Sequence, residues 1–101
     1  MAVVELSIVP IGVEKTSLSS YVAQALKVLK KSSLEHQLTA MGTIITGDLD
    51  EILATIRQMH ESFFESGVQR VLTQIRIDDR RDKAGSAEQK VKSVLAKLDQ
   101  D

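Results

Sequence analysis

The order of hydrophobic periods along the chain constrains its fold more than any other feature. Four stretches show the alternation or β-branched composition of strands, and two show apolar residues at helical spacing. In chain order they are a strand at 3–9, a helix at 18–29, strands at 34–41 and 43–46, a helix at 49–63 and a strand at 68–78. This βαββαβ order predicts an α+β sandwich of the ferredoxin-like type, in which a four-stranded antiparallel sheet carries two helices on one face.

Turn and cap residues support these boundaries. Asp48 followed by Glu51 resembles a capping box, in which the first side chain accepts a hydrogen bond from an amide of the first helical turn. Gly67 stands where a helix often ends on glycine, and Ser17 is a suitable N-cap for the first helix. Gly42 is the expected tight connection between the second and third strands.

A third, C-terminal helix is predicted after the charged loop at 79–85. Ser86 and Gln89 form a further capping pair in front of a narrow apolar stripe. The stripe consists of Val91, Val94, Leu95 and Leu98. Such a stripe needs a partner surface, and both the sheet of the same chain and a neighbouring copy are open as that surface. The last strand favours a neighbouring copy, because it lies at a sheet edge, and we expect a homo-oligomer.

Alternation along the strands assigns their side chains to two faces of the sheet. The face toward the helices is predicted to carry Val4, Leu6, Ile8, Val71, Thr73, Ile75 and Ile77. The open face is predicted to carry Glu5, Ser7, Val9, Glu35, Gln37, Thr39, Met41, Arg70, Leu72, Gln74, Arg76 and Asp78. This mixture of polar and apolar residues is typical of a solvated face or a polar interface between subunits.

Composition excludes several classes of protein. At 101 residues the chain is expected to form a single domain over 1–101. The net charge of −1 argues against nucleic acid as a partner, and the lack of Cys removes disulfides and thiolate chemistry. Two His do not supply the usual catalytic zinc site, so we expect neither metal nor cofactor. No apolar stretch approaches the ~20 residues that span a bilayer. Without a sorting signal, we expect a cytoplasmic protein.

The sequence shows no arrangement typical of an active site. It lacks the G-x-S-x-G elbow of serine hydrolases and the glycine-rich loops that hold phosphates. His36 and His60 lie in different elements, and the acidic residues at 48–51 suit the start of a helix. We therefore predict that the chain is not an enzyme.

Two segments are better candidates for binding a small molecule. The first is a run of hydroxyl side chains beside Tyr21 at the start of the first helix: Thr16, Ser17, Ser19 and Ser20. Exposed amides there can hold an anion or the polar edge of a ring. The second is 41–48, where two glycines flank a short strand and let the backbone approach a ligand closely. Ordinary capping and turn formation also account for both segments.

Five motifs, in this order and covering nearly the whole chain, resemble the family of small thiamine-binding proteins. They are VELSIVPIG, TSLSSYV, MGTIITGD, GVQRVLTQIRIDDRRDK and EQKVKSV. The most specific of them has the pattern R-x-x-T-x-I-x-I-D-x-R, met here by Arg70, Thr73, Ile75, Ile77, Asp78 and Arg80. The family also occurs as a duplicated domain in bacterial proteins that bind hydroxymethylpyrimidine or thiamine.

This resemblance implies a ferredoxin-like fold, assembly into dimers and tetramers, and binding of thiamine or its hydroxymethylpyrimidine moiety without catalysis. The binding residues that it implies are Ser20, Tyr21, Met41, Gly42, Thr43 and Thr46. Thr46 stands where relatives often carry Glu. The alternative is a structural or regulatory assembly module, whose pocket is vestigial or holds an anion.

Overall fold

Seven elements follow one another in the order that the hydrophobic periods predict. The computed structural model describes residues 1–13, 18–82 and 87–99. Its elements are β1 (Ala2–Pro10), α1 (Ser19–Lys31), β2 (Glu35–Thr39), β3 (Gly42–Gly47), α2 (Leu49–Glu65), β4 (Val71–Asp79) and α3 (Ala87–Leu98). The strands form one antiparallel sheet in the order β2-β3-β1-β4. The predicted ferredoxin-like α+β fold with an added C-terminal helix is confirmed.

The core lies between one face of the sheet and the helices α1 and α2. Its largest fully buried side chains are Phe63, Leu29, Ile45, Ile52 and Val4. Full burial of an aliphatic or aromatic side chain of this size contributes about 1.5–3 kcal/mol. Most of the stability therefore comes from the packing of two helices on the two central strands.

The strand register places the two faces as the alternation predicts. Val4 of β1 lies opposite Ile45 on β3 and Ile77 on β4, and all three share the helix-facing side. Burial on that side is uneven, however. Val4 and Ile45 are fully buried, whereas Ile77 and Ile75 of the edge strand β4 are 47% and 40% exposed. The helices therefore leave part of the β4 surface uncovered.

Both predicted caps of α2 are present. The Asp48 carboxylate accepts a hydrogen bond from the backbone amide of Glu51 at 3.1 Å. At the other end, Gly67 has φ +92° and donates to Phe64, while the amide of Val68 donates to Phe63. This pair of bonds is a Schellman motif. Since Val68 belongs to the cap, β4 begins at Val71 and not at 68 as predicted.

The connection between β2 and β3 differs from the prediction. The two-residue turn is formed by Ala40 and Met41, and Gly42 is already the first residue of β3, paired with Thr39. A side chain at position 42 would collide with the backbone of β1, since its Cβ would lie 2.6 Å from the carbonyl oxygen of Leu6. Glycine is needed here for a close approach of two strands and not for the turn itself.

Two predicted N-caps, Ser17 and Ser86, lie outside the described residues. The helix α1 begins at Ser19, and Leu18 at its N-cap position makes no side-chain capping bond. Within the described ranges, no helix is both long enough and apolar enough to cross a membrane.

The charges near the end of β4 form pairs within the chain. Arg81 donates to the carboxylate of Asp79 at 2.9 Å, and this hydrogen bond raises the pKa of the guanidinium above its ordinary value. Arg76 lies 3.5 Å from the carboxylate of Glu5 on the neighbouring strand. Pairs as exposed as these are screened by solvent, so they affect edge solubility more than stability.

Replacing Asp48 with alanine is expected to lower the free energy of unfolding by about 1 kcal/mol, because an amide of the first turn loses its acceptor. Urea denaturation followed by circular dichroism measures the loss. Asp50→Ala is the matched control, since Asp50 lies in the same helical turn and makes no cap. Equal losses in the two variants would contradict the capping role.

Candidate functional site

A pocket of about 300 Å³ lies where the second half of β1, the helix α1 and the β2–β3 hairpin meet. Its lining is mainly apolar and comes from five elements and the hairpin turn. The lining residues are Leu6, Ser7, Ile8, Val9, Leu18, Val22, Ala25, Leu26, Leu38, Thr39, Ala40, Met41, Gly42, Thr43, Met59 and Phe63. Ligand pockets in proteins usually measure about 300–1,000 Å³, so this one suits a molecule of one or two rings.

The pocket exists because β1 is longer than its pairing with β3. That pairing ends where Leu6 lies opposite Thr43, whereas β1 continues to Pro10 beside β4. Residues 7–10 therefore have no strand partner among the described strands on the β3 side. Backbone groups along this free edge are available to a ligand, because strand pairing does not use them.

The hairpin that borders the pocket is held by its own hydrogen bonds. The Thr39 hydroxyl donates to the carbonyl of Gly42 at 2.9 Å and accepts from the amide of Met41 at 3.3 Å. These bonds orient the turn so that its backbone closes one side of the pocket. The Met41 side chain is 84% exposed, so it lies at the rim.

The floor of the pocket is formed by side chains of α2 that also belong to the core. Phe63 is 1% exposed and stacks on Tyr21 of α1, with ring centroids 5.9 Å apart and an interplanar angle of 16°. Met59 lies one helical turn away on the same face. The stack connects the two helices and presents an aromatic and thioether surface to the pocket.

None of the residues that line the pocket is charged. The polar lining residues are Ser7, Thr39 and Thr43, and the free edge of β1 adds backbone groups. A hydroxyl can both donate and accept, which suits the polar edge of a neutral ring. A bound charge would lack a counter-ion here, and burial of an unpaired charge is costly. The arrangement therefore favours a neutral, flat ligand.

The structure divides the six predicted binding residues into three groups. Met41, Gly42 and Thr43 all line the pocket. Tyr21 lies behind the wall and contacts the floor through its stack on Phe63. Ser20 is exposed on α1 and does not line the pocket.

Thr46 belongs with Ser20 outside the pocket, since it lies on the other face of the sheet from Thr43. It pairs with Val3 of β1 and Glu35 of β2, and it does not line the pocket. Residues three apart on a strand point to opposite faces. Both threonines are nearly buried, at 6% and 7% exposure, so they differ in position and hardly in accessibility.

Several wall residues were absent from the predicted site. Val22 and Leu26 of α1, with Phe63 of α2, have the helical spacing of core residues. These side chains both pack in or against the core and line the pocket, because the pocket opens at the end of the core. The one available signal was the unequal length of β1 and β3, which the sequence shows only approximately.

His60 lies outside the pocket, between α2 and β4. His60 Nδ1 lies 2.7 Å from the hydroxyl of Thr73, and its ring meets the edge of Phe64 at 5.3 Å. These contacts join α2 to β4. No group of three or more His, Asp or Glu that would suit a metal ion occurs within 1–13, 18–82 and 87–99.

The fold and the pocket together define a ferredoxin-like α+β domain with an uncharged pocket of small-molecule size. The chain belongs to the thiamine-binding protein family, whose family model matches residues 4–95. The resemblance carried by the five motifs is thereby confirmed.

Relatives from bacteria and archaea extend over almost the whole chain. The UPF0045 protein YqgV of Bacillus subtilis is 45% identical over 98 residues, which cover 93% of this chain and 94% of the relative. The crystal structure of a hypothetical protein from Methanocaldococcus jannaschii is similar with a TM-score of 0.84 at 41% identity, covering 92% and 94% of the two chains.

A third comparison concerns the fold alone. A structure from Thermotoga maritima, whose description refers to thiamine biosynthesis or salvage, matches with a TM-score of 0.76 at 20% identity. It covers 92% of this chain and 97% of that one.

Proposed function

We propose that this chain binds thiamine or its hydroxymethylpyrimidine moiety in the pocket beside the β2–β3 hairpin, without catalysing a reaction. The observation that carries the proposal is an uncharged pocket of about 300 Å³ in a member of a family described as thiamine-binding.

The chemistry of the lining favours the pyrimidine over the rest of the vitamin. An aminopyrimidine is flat and neutral, with donors and acceptors on its edge, and it matches the apolar walls, Thr43 and the free edge of β1. The thiazolium ring of thiamine carries a positive charge, and the diphosphate ester adds negative charge. Charged groups would have to stay at the open mouth of the pocket. We expect hydroxymethylpyrimidine and thiamine to bind more tightly than thiamine diphosphate.

A non-catalytic role agrees with the same lining. General acid–base chemistry needs a titratable group within hydrogen-bonding reach of the substrate. The lining residues include neither His nor any carboxylate, and His60 faces Thr73 on β4. The prediction that the chain is not an enzyme thus stays part of the proposal, together with its cytoplasmic location.

Calorimetric titration with hydroxymethylpyrimidine, thiamine and thiamine diphosphate tests the ligand. Thr43→Val is expected to weaken binding by up to about tenfold, because one net hydrogen bond contributes about 0.5–1.5 kcal/mol. Thr46→Val is the matched control, since it removes the same hydroxyl at equal burial on the opposite face and should leave affinity unchanged. Absence of heat with all three compounds at millimolar concentration, or equal effects of both variants, would overturn the proposal.

Self-association is the second part of the proposed function. We propose that the chain works as a homo-oligomer, a dimer or tetramer, as the resemblance implies. The alternative, an assembly module with a vestigial pocket, is favoured by one observation, the exposed apolar stripe of α3. A stable oligomer that ignores all three ligands would support that alternative.

A further inference from the structure

The helix α3 carries an apolar stripe that its own chain leaves uncovered. The four stripe residues Val91, Val94, Leu95 and Leu98 are between 54% and 63% exposed. The molecule is accordingly elongated, with a radius of gyration of 15.5 Å. A compact domain of this length has a radius of about 13 Å. A lone helix of 12 residues is marginal in water, so α3 needs a packing surface.

A matching apolar surface lies on the opposite side of the β4 edge. It consists of Leu53 and Phe64 on α2 and of Ile75 and Ile77 on β4, each between 38% and 47% exposed. We call it the α2–β4 surface. The contact of His60 with Thr73 joins its two elements. Three turns of helix, about 18 Å, are long enough to cover this strand segment.

The two helices carry opposite net charges. The helix α2 carries four carboxylates, at 50, 51, 61 and 65, against the single Arg57, a net charge of −3. The helix α3 carries three lysines, at 90, 92 and 97, against one glutamate at 88, a net charge of +2. Opposite charges beside an apolar contact favour this pairing and disfavour the pairing of two α3 helices.

The α3 of the same chain lies on the wrong face to cover this surface. Lys90, in the first turn of α3, forms an ion pair with Asp78. Asp78 lies opposite Val3 on the open face of the sheet, whereas its neighbour Ile77 lies on the helix-facing side. As long as that pair forms, the stripe cannot reach the α2–β4 surface of its own chain.

We infer that α3 of one copy docks on the α2–β4 surface of a second copy, and that the exchange is reciprocal. A two-fold dimer of this kind buries both stripes and both α2–β4 surfaces. The assembly is therefore closed, because no stripe or α2–β4 surface remains to bind a third copy. This inference rests on the self-association proposed above and is independent of the ligand.

Thiol cross-linking tests the inference, because the chain contains no cysteine of its own. Leu95→Cys lies in the middle of the stripe, and Ile75→Cys lies in the middle of the α2–β4 surface. The two cysteines are therefore expected to lie close together whichever way the docked helix runs along the surface. The two single variants are refolded together and treated with a short bismaleimide. We expect covalent dimers from the mixture. Ser93→Cys, on the polar face of α3, is the matched control for Leu95→Cys and should yield few covalent dimers.

A double variant with both cysteines separates exchange between copies from docking within one chain. Covalent dimers on a denaturing gel support the inference, whereas a cross-link within single chains overturns it. Equal dimer yields with Ser93→Cys and Leu95→Cys would also overturn it.

Light scattering of Leu95→Asp provides a second measurement without a cross-linker. The mass is expected to fall to that of one chain, 11.1 kDa, while the circular dichroism of the core is retained. An unchanged oligomer would contradict the inference. Titration of the same variant with hydroxymethylpyrimidine keeps the two proposals apart, because loss of assembly with retained binding leaves the pocket assignment standing.

Discussion

Replacing Phe63 with alanine is expected to lower the free energy of unfolding by about 3–5 kcal/mol, since the change leaves a large cavity in the core. Phe63 is 1% exposed and stacks on Tyr21, so its ring connects α2 with the start of α1. Domains of this size have a total stability of about 5–15 kcal/mol, and the variant should therefore be close to unfolding. Urea denaturation at 25 °C, followed by circular dichroism, measures the loss.

Phe64 is the matched control for this experiment. It is the same residue type one position further along α2, but it is 39% exposed and contacts His60 at the surface. Phe64→Ala should cost less than Phe63→Ala, because it leaves no comparable cavity in the core. Comparable losses for the two variants would show that the assigned core face of α2 is wrong.

Replacing Gly42 with alanine is expected to destabilise the chain by about 1–3 kcal/mol, as overpacking usually does, and to abolish ligand binding. The new Cβ would lie 2.6 Å from the carbonyl oxygen of Leu6, and a backbone atom in a central strand cannot move aside. The hairpin would have to shift away from β1, which opens the pocket at the point where Thr43 faces it. Thermal unfolding and titration with hydroxymethylpyrimidine measure the two effects.

Gln37→Ala is the control, because Gln37 is exposed on β2 of the same hairpin and does not line the pocket, so its truncation should leave binding unchanged. Binding that survives in Gly42→Ala would contradict the placement of the ligand beside the hairpin.

The fold was largely predictable because its signals are local. The cap at Asp48, the Schellman glycine at position 67 and the period of each strand depend on residues close together in the chain. Most errors concern boundaries. The β2–β3 turn was expected at Gly42 but lies at 40–41. Glycine is required at position 42 because the strand passes close to the backbone of Leu6, a residue 36 positions away in sequence.

The candidate site was predictable only in part. The resemblance pointed to six residues, and the structure brings 41–43 to the pocket while it places Ser20 and Thr46 elsewhere. The apolar walls, such as Leu26, have the same spacing as ordinary core residues, so no local pattern separates them. Their exposure to a cavity depends on where the pairing of β1 and β3 stops.

The amino-acid sequence by itself determined the order of elements, the two faces of the sheet, the family and the absence of charge in segment 41–43. Only the tertiary structure decided that Thr43 lines a pocket while Thr46 lies on the opposite face, and that Leu53 joins Ile75 in an exposed apolar surface. The physical reason is the separation in sequence between the residues that determine each feature. Periodicity and capping arise from neighbours a few residues apart, whereas a cavity or docking surface arises where elements distant in sequence fail to cover one another.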